Sequence, residues 1–324
     1  MNVTDLGARI VDLIVPVNGK KRNIVLGFDS AEEYREKDKY FGATIGRVAG
    51  RIKHGTFSID QQNYQLPVDP KSGHTLHGGL ESFETKLWSA ATEQTSERVS
   101  VLFSYLSPAG ENGFPGELKA SVTYSLTNEN EWIIDYQAST NQPTLYNPTN
   151  HVYFNLTGKP SQAVDEHEVF VDADKFAVVA EDTTVTGELR TVVNTPFDFR
   201  RPKKMIQVFQ TNYEQNRLVN GLDHPFILNQ SGFDKSQAII SAPEKDLSIE
   251  MYTDRPAVVI FTAQFGDEGP EVRGEKMCHH GALTLETQVS PGACEFEEFG
   301  TIILYPETPY QSRTIYKINV IDDN

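Results

Sequence analysis

The sequence predicts an all-β protein, a large antiparallel β-sandwich whose sheets are long and curved enough for one face to hold a ligand. Three observations predict it. Apolar and polar residues alternate with a period of two in segment after segment, and helical periodicity is nearly absent. Between the alternating runs, clusters of Gly, Pro, Asn and Asp fall at short intervals. In chain order, the one good helix candidate is Ala31–Lys39, where Ser30 and Glu33 have the spacing of a capping box. Val99–Tyr105, Leu118–Leu126 and Trp132–Ala138 then read as half-buried strands. The last two flank Thr127–Glu131, a polar loop rich in turn formers, and so form a hairpin. Leu247–Met251, Leu283–Thr287 and Thr314–Ile318 repeat the pattern. No Pro/Gly/Ser-rich linker and no fixed-period repeat divides the chain, so residues 1–324 are expected to form a single domain.

Composition narrows the function. With 38% hydrophobic residues the chain can build a substantial core. Its formal charge of −16, with no extended Lys/Arg-rich run, repels phosphodiesters and anionic lipids. Nucleic acid and membrane surfaces are therefore not expected partners. Cys278 and Cys294 are too few for a disulfide scaffold and lie in no C-x-x-C spacing, which suits reduced thiols. Asp5, Arg9 and Asp12 interrupt the apolar positions of residues 1–20, so no signal peptide is read there. The expected location is cytoplasmic. No P-loop or dinucleotide glycine fingerprint is present.

The most informative stretch is Asn147–Leu156, where His151 sits among Asn147, Asn150 and Asn155 and is followed by Tyr153 and Phe154. Polar donors mixed with flat apolar rings suit a sugar, which has a hydroxylated rim and apolar C–H faces. The asparagines could hold hydroxyls or fix the imidazole tautomer. In Leu283–Gln288, alternation puts Thr284, Glu286 and Gln288 on one face, with Leu283 and Leu285 on the other. A partly desolvated Glu286 on a cleft face could act as a general base. His77 precedes Gly78 and Gly79, which permit tight turns and close approach of a ligand. His74 lies three residues earlier, but no partner set for a metal accompanies the pair, and no metal is expected. Arg47 and Arg51 flank small residues, and one of them is expected to be structural and the other to bind hydroxyls. Asp223, at a turn before a strand, could accept two hydroxyl hydrogen bonds if held in a pocket.

Taken in order, eight segments resemble the aldose 1-epimerases (galactose mutarotases). They are Tyr40–Ile52, Thr75–Gly79, Gly113–Gly116, Asn147–Gly158, Thr186–Glu188, Thr195–Arg200, Gly221–His224 and Leu285–Gln288. The resemblance implies the galactose mutarotase-like supersandwich, with a free aldose on its concave face. It implies catalytic roles for Glu286 as general base, for His151 as general acid, and for His77 near the ring oxygen. Arg51 and Asp223 then match substrate-binding positions, and Asn150 is expected to join them. The implied reaction interconverts α and β anomers of a hexose such as galactose or glucose without metal or cofactor; no interface patch is recognisable in the sequence, and a monomer or a weak homodimer are both open. Gly50, Pro148 and Val259 depart from the family pattern, in which many members carry asparagine, leucine is common, and some carry glutamine, at the respective positions. A pocket poorer in amides should discriminate hexoses less sharply, or admit a bulkier sugar beside Gly50. Two other readings stay open: a hexose-6-phosphate 1-epimerase, using the basic run Arg200–Lys204, and a catalytically silent sugar-binding module.

Overall fold

A computed structural model describes residues 1–321. Its largest sheet has nine strands, ordered Ser89–Gln94, Arg98–Ser107, Leu118–Thr127, Glu131–Thr140, Tyr310–Val320, Leu247–Thr253, Ala238–Ser241, Glu168–Val171 and Lys203–Lys204. Every pairing in it is antiparallel. A second, five-stranded antiparallel sheet runs Val185–Thr191, Ala173–Val179, Asp223–Leu228, Ala257–Phe261 and Glu286–Gln288.

Burial follows the sequence period. In Leu247–Thr253 buried and half-buried positions alternate without a break. Ala257–Phe261, a continuous apolar run, is instead buried at four successive positions, as expected of a strand covered on both faces. The expected hairpin forms with Leu126 opposite Trp132, although the strands extend to Thr127 and Glu131 and shorten the loop. One hydrophobic cluster joins the sheets: Val122, Trp132 and Ile134 of the large one share it with Phe176, Phe226 and Val258 of the small one. Each such side chain contributes roughly 1.5–3 kcal/mol when taken out of water.

Two contacts fix which way the last strand of the small sheet faces. Thr287 Oγ1 lies 2.6 Å from Thr314 Oγ1 on the large sheet, and Tyr316 Oη donates to the Leu285 carbonyl at 2.6 Å. Thr287 therefore points toward the large sheet, and period-two geometry sends Glu286 and Gln288 to the opposite face.

Four elements differ from expectation. The ladder near residue 285 is only Glu286–Gln288, because Leu283 leaves it to bridge Phe154. The helix with the capping box stops at Glu36, although both box bonds are made: Glu33 N donates to Ser30 Oγ, and Ser30 N to Glu33 Oε2. Two short helices, Ile206–Phe209 and Glu214–Val219, carry too few residues for a 3.6 period to show. Among the described residues, no helix is long and apolar enough to cross a membrane.

Candidate active site

The outer face of the small sheet carries a cleft of about 230 Å³, the scale of one sugar ring. Strand register builds its floor. Pro225 pairs with Val259, Val259 with Glu286, and Asp223 with Phe261, and all five side chains line the cleft.

Glu286 is only 3% exposed. Its Oε1 accepts a hydrogen bond from Thr284 Oγ1 at 3.1 Å, and that hydroxyl in turn accepts from Phe261 N. Burial, reinforced by the nearby Asp223 carboxylate, pushes its pKa up to about 8. A carboxyl so placed exchanges its proton near neutral pH, as a general base or acid must.

His151 enters from a two-residue strand, Thr149–Asn150, paired with Thr44–Ile45. Its own backbone bonds Ala43 O and Gly42 N, so the main chain holds it from both sides. Its Nε2 lies 3.5 Å from Glu286 Oε1. Burial lowers its pKa, and Asp38 on the cleft wall opposes the shift.

His77 sits at φ 51°, in the left-handed region, and is followed by Gly78 and Gly79 at φ 88° and 117°. A Cβ on Gly78 would lie 2.2 Å from the Gly46 carbonyl, so the turn excludes any side chain there. Two bonds lock the histidine to Gly50: His77 N donates to Gly50 O, and Gly50 N donates to His77 Nδ1 at 3.2 Å. With Nδ1 accepting, the neutral ring carries its proton on Nε2. One ligand-type atom from each of His77, His151 and Glu286 lies within 4.8 Å of the other two. Two imidazoles and a carboxylate at that spacing also outline a metal site. The tautomer of His77 argues against one, because Nδ1 is taken by Gly50 N–H and Nε2 has no free lone pair.

Arg51 and Asp223 face each other across the cleft, with Nη1 3.6 Å from Oδ2. Arg47 is the structural arginine. It is buried and bonds Ser107 Oγ, Thr144 Oγ1 and the carbonyls of Ser107, Pro108 and Pro115.

Asn150, expected to join the substrate-binding residues, lies away from the cleft. It is absent from the cleft wall, and its Nδ2 donates to Gly42 O and Tyr124 Oη. Its two neighbours are also clamps. Asn147 pairs both ways with the Val289 backbone, and Asn155 donates to the carbonyls of Lys159, Gln162 and Gly281. His74 is likewise occupied elsewhere, accepting from His54 N and lying 3.3 Å from Asp182 Oδ2. Pro291 limits the space expected beside Gly50, since a Cβ there would stand 2.6 Å from its Cγ.

Asp38 and Tyr40 are among the cleft residues with no role assigned from sequence. The Tyr40 ring lies 4.8 Å from that of His77 and stacks 5.8 Å from that of His151, and Asp38 Oδ1 accepts from Tyr40 N. Tyr40 opens the first segment of the family resemblance, which is the signal that could have found it.

A family model described as aldose 1-epimerase matches residues 1–317. The chain belongs to the aldose 1-epimerase family. A galactose mutarotase of Rattus norvegicus is 38% identical to it, over 93% of this chain and 85% of that protein. An aldose 1-epimerase of Escherichia coli K12 is 34% identical, over 98% and 91%. Among solved structures, an aldose epimerase homologue from C. elegans superposes with a TM-score of 0.89 at 29% identity, covering 99% of this chain and 95% of that one. A galactose 1-epimerase from Lactobacillus acidophilus gives 0.87 at 29%, covering 98% and 90%. The aldose 1-epimerase fold is thus the sandwich expected from strand alternation.

Proposed function

We propose that this aldose 1-epimerase interconverts the α and β anomers of a free hexose, with Glu286 and His151 exchanging protons with the sugar. The observation that carries the reading is the buried pair itself, a carboxyl with pKa near 8 whose Oε1 is 3.5 Å from an imidazole Nε2. The dyad holds one proton between its two pKa values, and the forward step starts from the tautomer with that proton on His151, so that Glu286 takes the proton of the C1 hydroxyl. The C1–O5 bond breaks as the C1 carbonyl forms, and His151 delivers a proton to O5. Rotation about C1–C2 presents the other carbonyl face. O5 then re-adds to C1 while both protons return, so no net proton or electron is exchanged. His77, with its Nε2–H held in the cleft, donates a hydrogen bond to the ring region, and Arg51 with Asp223 holds hydroxyls. Positioned acid and base groups each supply about 10²–10⁴ in rate, ample for a ring opening that already proceeds in water.

The phosphorylated-sugar alternative has less support. In the run Arg200–Lys204, Arg200 is engaged by Asp198 and Asp174 and Lys204 by Glu166, and none of its residues lines the cleft. A silent binding module would not need a desolvated base. Polarimetry of freshly dissolved α-galactose and α-glucose is the test: the protein should accelerate decay to the equilibrium rotation, and absence of acceleration on both would refute the reading. Further parts of the proposal are a single domain over 1–324, supported by one core cluster running from Ala8 to Ile318, and a cytoplasmic location, supported by free Cys278 and Cys294. The proposed assembly is a monomer or weak homodimer, to be read by sedimentation.

A further inference from the structure

Gln288 follows Glu286 by two residues on the same strand and faces the same way, into the cleft wall. It is completely buried, yet neither Nε2 nor Oε1 has a hydrogen-bond partner among the described residues. The other buried amides behave differently. Asn147, Asn155, Gln215 and Gln237 are bonded through both nitrogen and oxygen. Asn150 and Asn216 each leave only the oxygen unpaired. Gln288 is therefore the one buried amide with both ends open among the described residues.

Its surroundings explain why the protein cannot satisfy it. The residue opposite in the ladder is Ala257, whose methyl offers no polar atom. On the cleft side stands Gly50, also without a side chain, and a Cβ built there would lie 3.8 Å from Gln288 Oε1. Pro291, the other neighbour of Gly50, has no N–H to give. A primary amide buried without partners is costly, and such groups persist where a ligand completes them.

We propose that Gln288 is a specificity residue of the sugar site. Its amide accepts from and donates to a hydroxyl other than the one on C1, lodged beside Gly50. A hydroxyl is both donor and acceptor, so one hydroxyl or a vicinal pair can satisfy both ends. This rests on the epimerase reading above. It also changes the expectation drawn from Gly50 and Val259, since the cleft is not poor in amides once Gln288 is included.

The test crosses the residue with the substrate. kcat/KM is measured by polarimetry for the preferred hexose and for its 2-, 3-, 4- and 6-deoxy derivatives, using wild type and the near-isosteric Gln288→Met. Wild type should lose about tenfold or more on one deoxy sugar, the effect of a single well-made hydrogen bond. Gln288→Met should lose a similar factor on the parent hexose and almost nothing further on that same deoxy sugar. If the variant loses the same factor on every sugar, or loses nothing, Gln288 is structural and the proposal falls. Gln288→Asn, which keeps the amide but draws it back by one methylene, should repeat the pattern and serves if the methionine variant does not fold. Wild type inactive on every hexose would sink the epimerase reading itself, a result distinguishable from a flat pattern in an active enzyme.

Discussion

Replacing Glu286 by glutamine should abolish most turnover and make the protein more stable, with the gain growing as pH rises. The magnitude follows from burial. The carboxyl titrates near its ordinary 4.5 when unfolded and near 8 when folded. A folded-state pKa above the unfolded one gives a stability contribution that is complete below pH 4.5. It is lost progressively as pH rises to about 8, because the unfolded chain releases its proton first. The full loss is about 5 kcal/mol, and about 3 kcal/mol is already gone at pH 7. The substituted glutamine cannot ionise and keeps an amide oxygen for the Thr284 hydroxyl, so the variant escapes the loss. Urea unfolding of both proteins at pH 5, 7 and 9 measures it: the midpoints should nearly coincide at pH 5 and separate steadily above. Mutarotation at pH 7 should meanwhile fall by about 10²–10⁴. A midpoint difference that does not change between pH 5 and 9 would show that Glu286 is not a desolvated carboxyl, and near wild-type turnover would show that it is not the base.

The pair should give a bell-shaped kcat/KM profile. The dyad gains a second proton only below His151's lowered pKa, under 6.5, and loses its single proton above about 8; a rate still rising at pH 9.5 would contradict this. His151→Asn should cost as much as Glu286→Gln, and the double variant little more, because the two act in one exchange; additive losses measured by polarimetry would count against it. Exhaustive chelation should leave turnover unchanged, since Gly50 N–H holds His77 in a tautomer unsuited to a metal; a stoichiometric metal whose return restores activity would reverse the conclusion. Arg51→Ala should raise KM with little effect on the urea midpoint, whereas Arg47→Ala, losing its buried bonds, should cost about 3 kcal/mol or more of stability. Asn150→Ala should likewise lower stability, by about 1–3 kcal/mol, while KM for the hexose stays near wild type.

Much of this architecture was legible because period-two alternation is a local property. A strand such as Leu247–Thr253 declares its buried face residue by residue. What local pattern cannot declare is where a polar side chain ends. Asn147, Asn150 and Asn155 have the chemistry of sugar ligands and sit on either side of His151. Their amide nitrogens nonetheless donate to the carbonyls of Val289, Gly42 and Gly281, which are distant in sequence. These three asparagines pin the segment that carries His151.

Arg47 and Arg51 make the same point with opposite outcomes. They are four residues apart in one glycine-rich segment, and composition cannot separate them. The first is turned inward to bond three carbonyls and two hydroxyls, while the second reaches the cleft opposite Asp223. Gln288 is the converse case. The alternation that places Glu286 on the cleft face places Gln288 there too, so its direction was readable from sequence. Its importance was not, because that depends on what is missing around it: a methyl from Ala257 across the ladder, and no side chain at all from Gly50. Neighbours that small leave a buried amide with nothing of the protein's own to bond. In a cleft shaped for a polyhydroxylated ring, that gap is where a substrate hydroxyl gains most from being recognised.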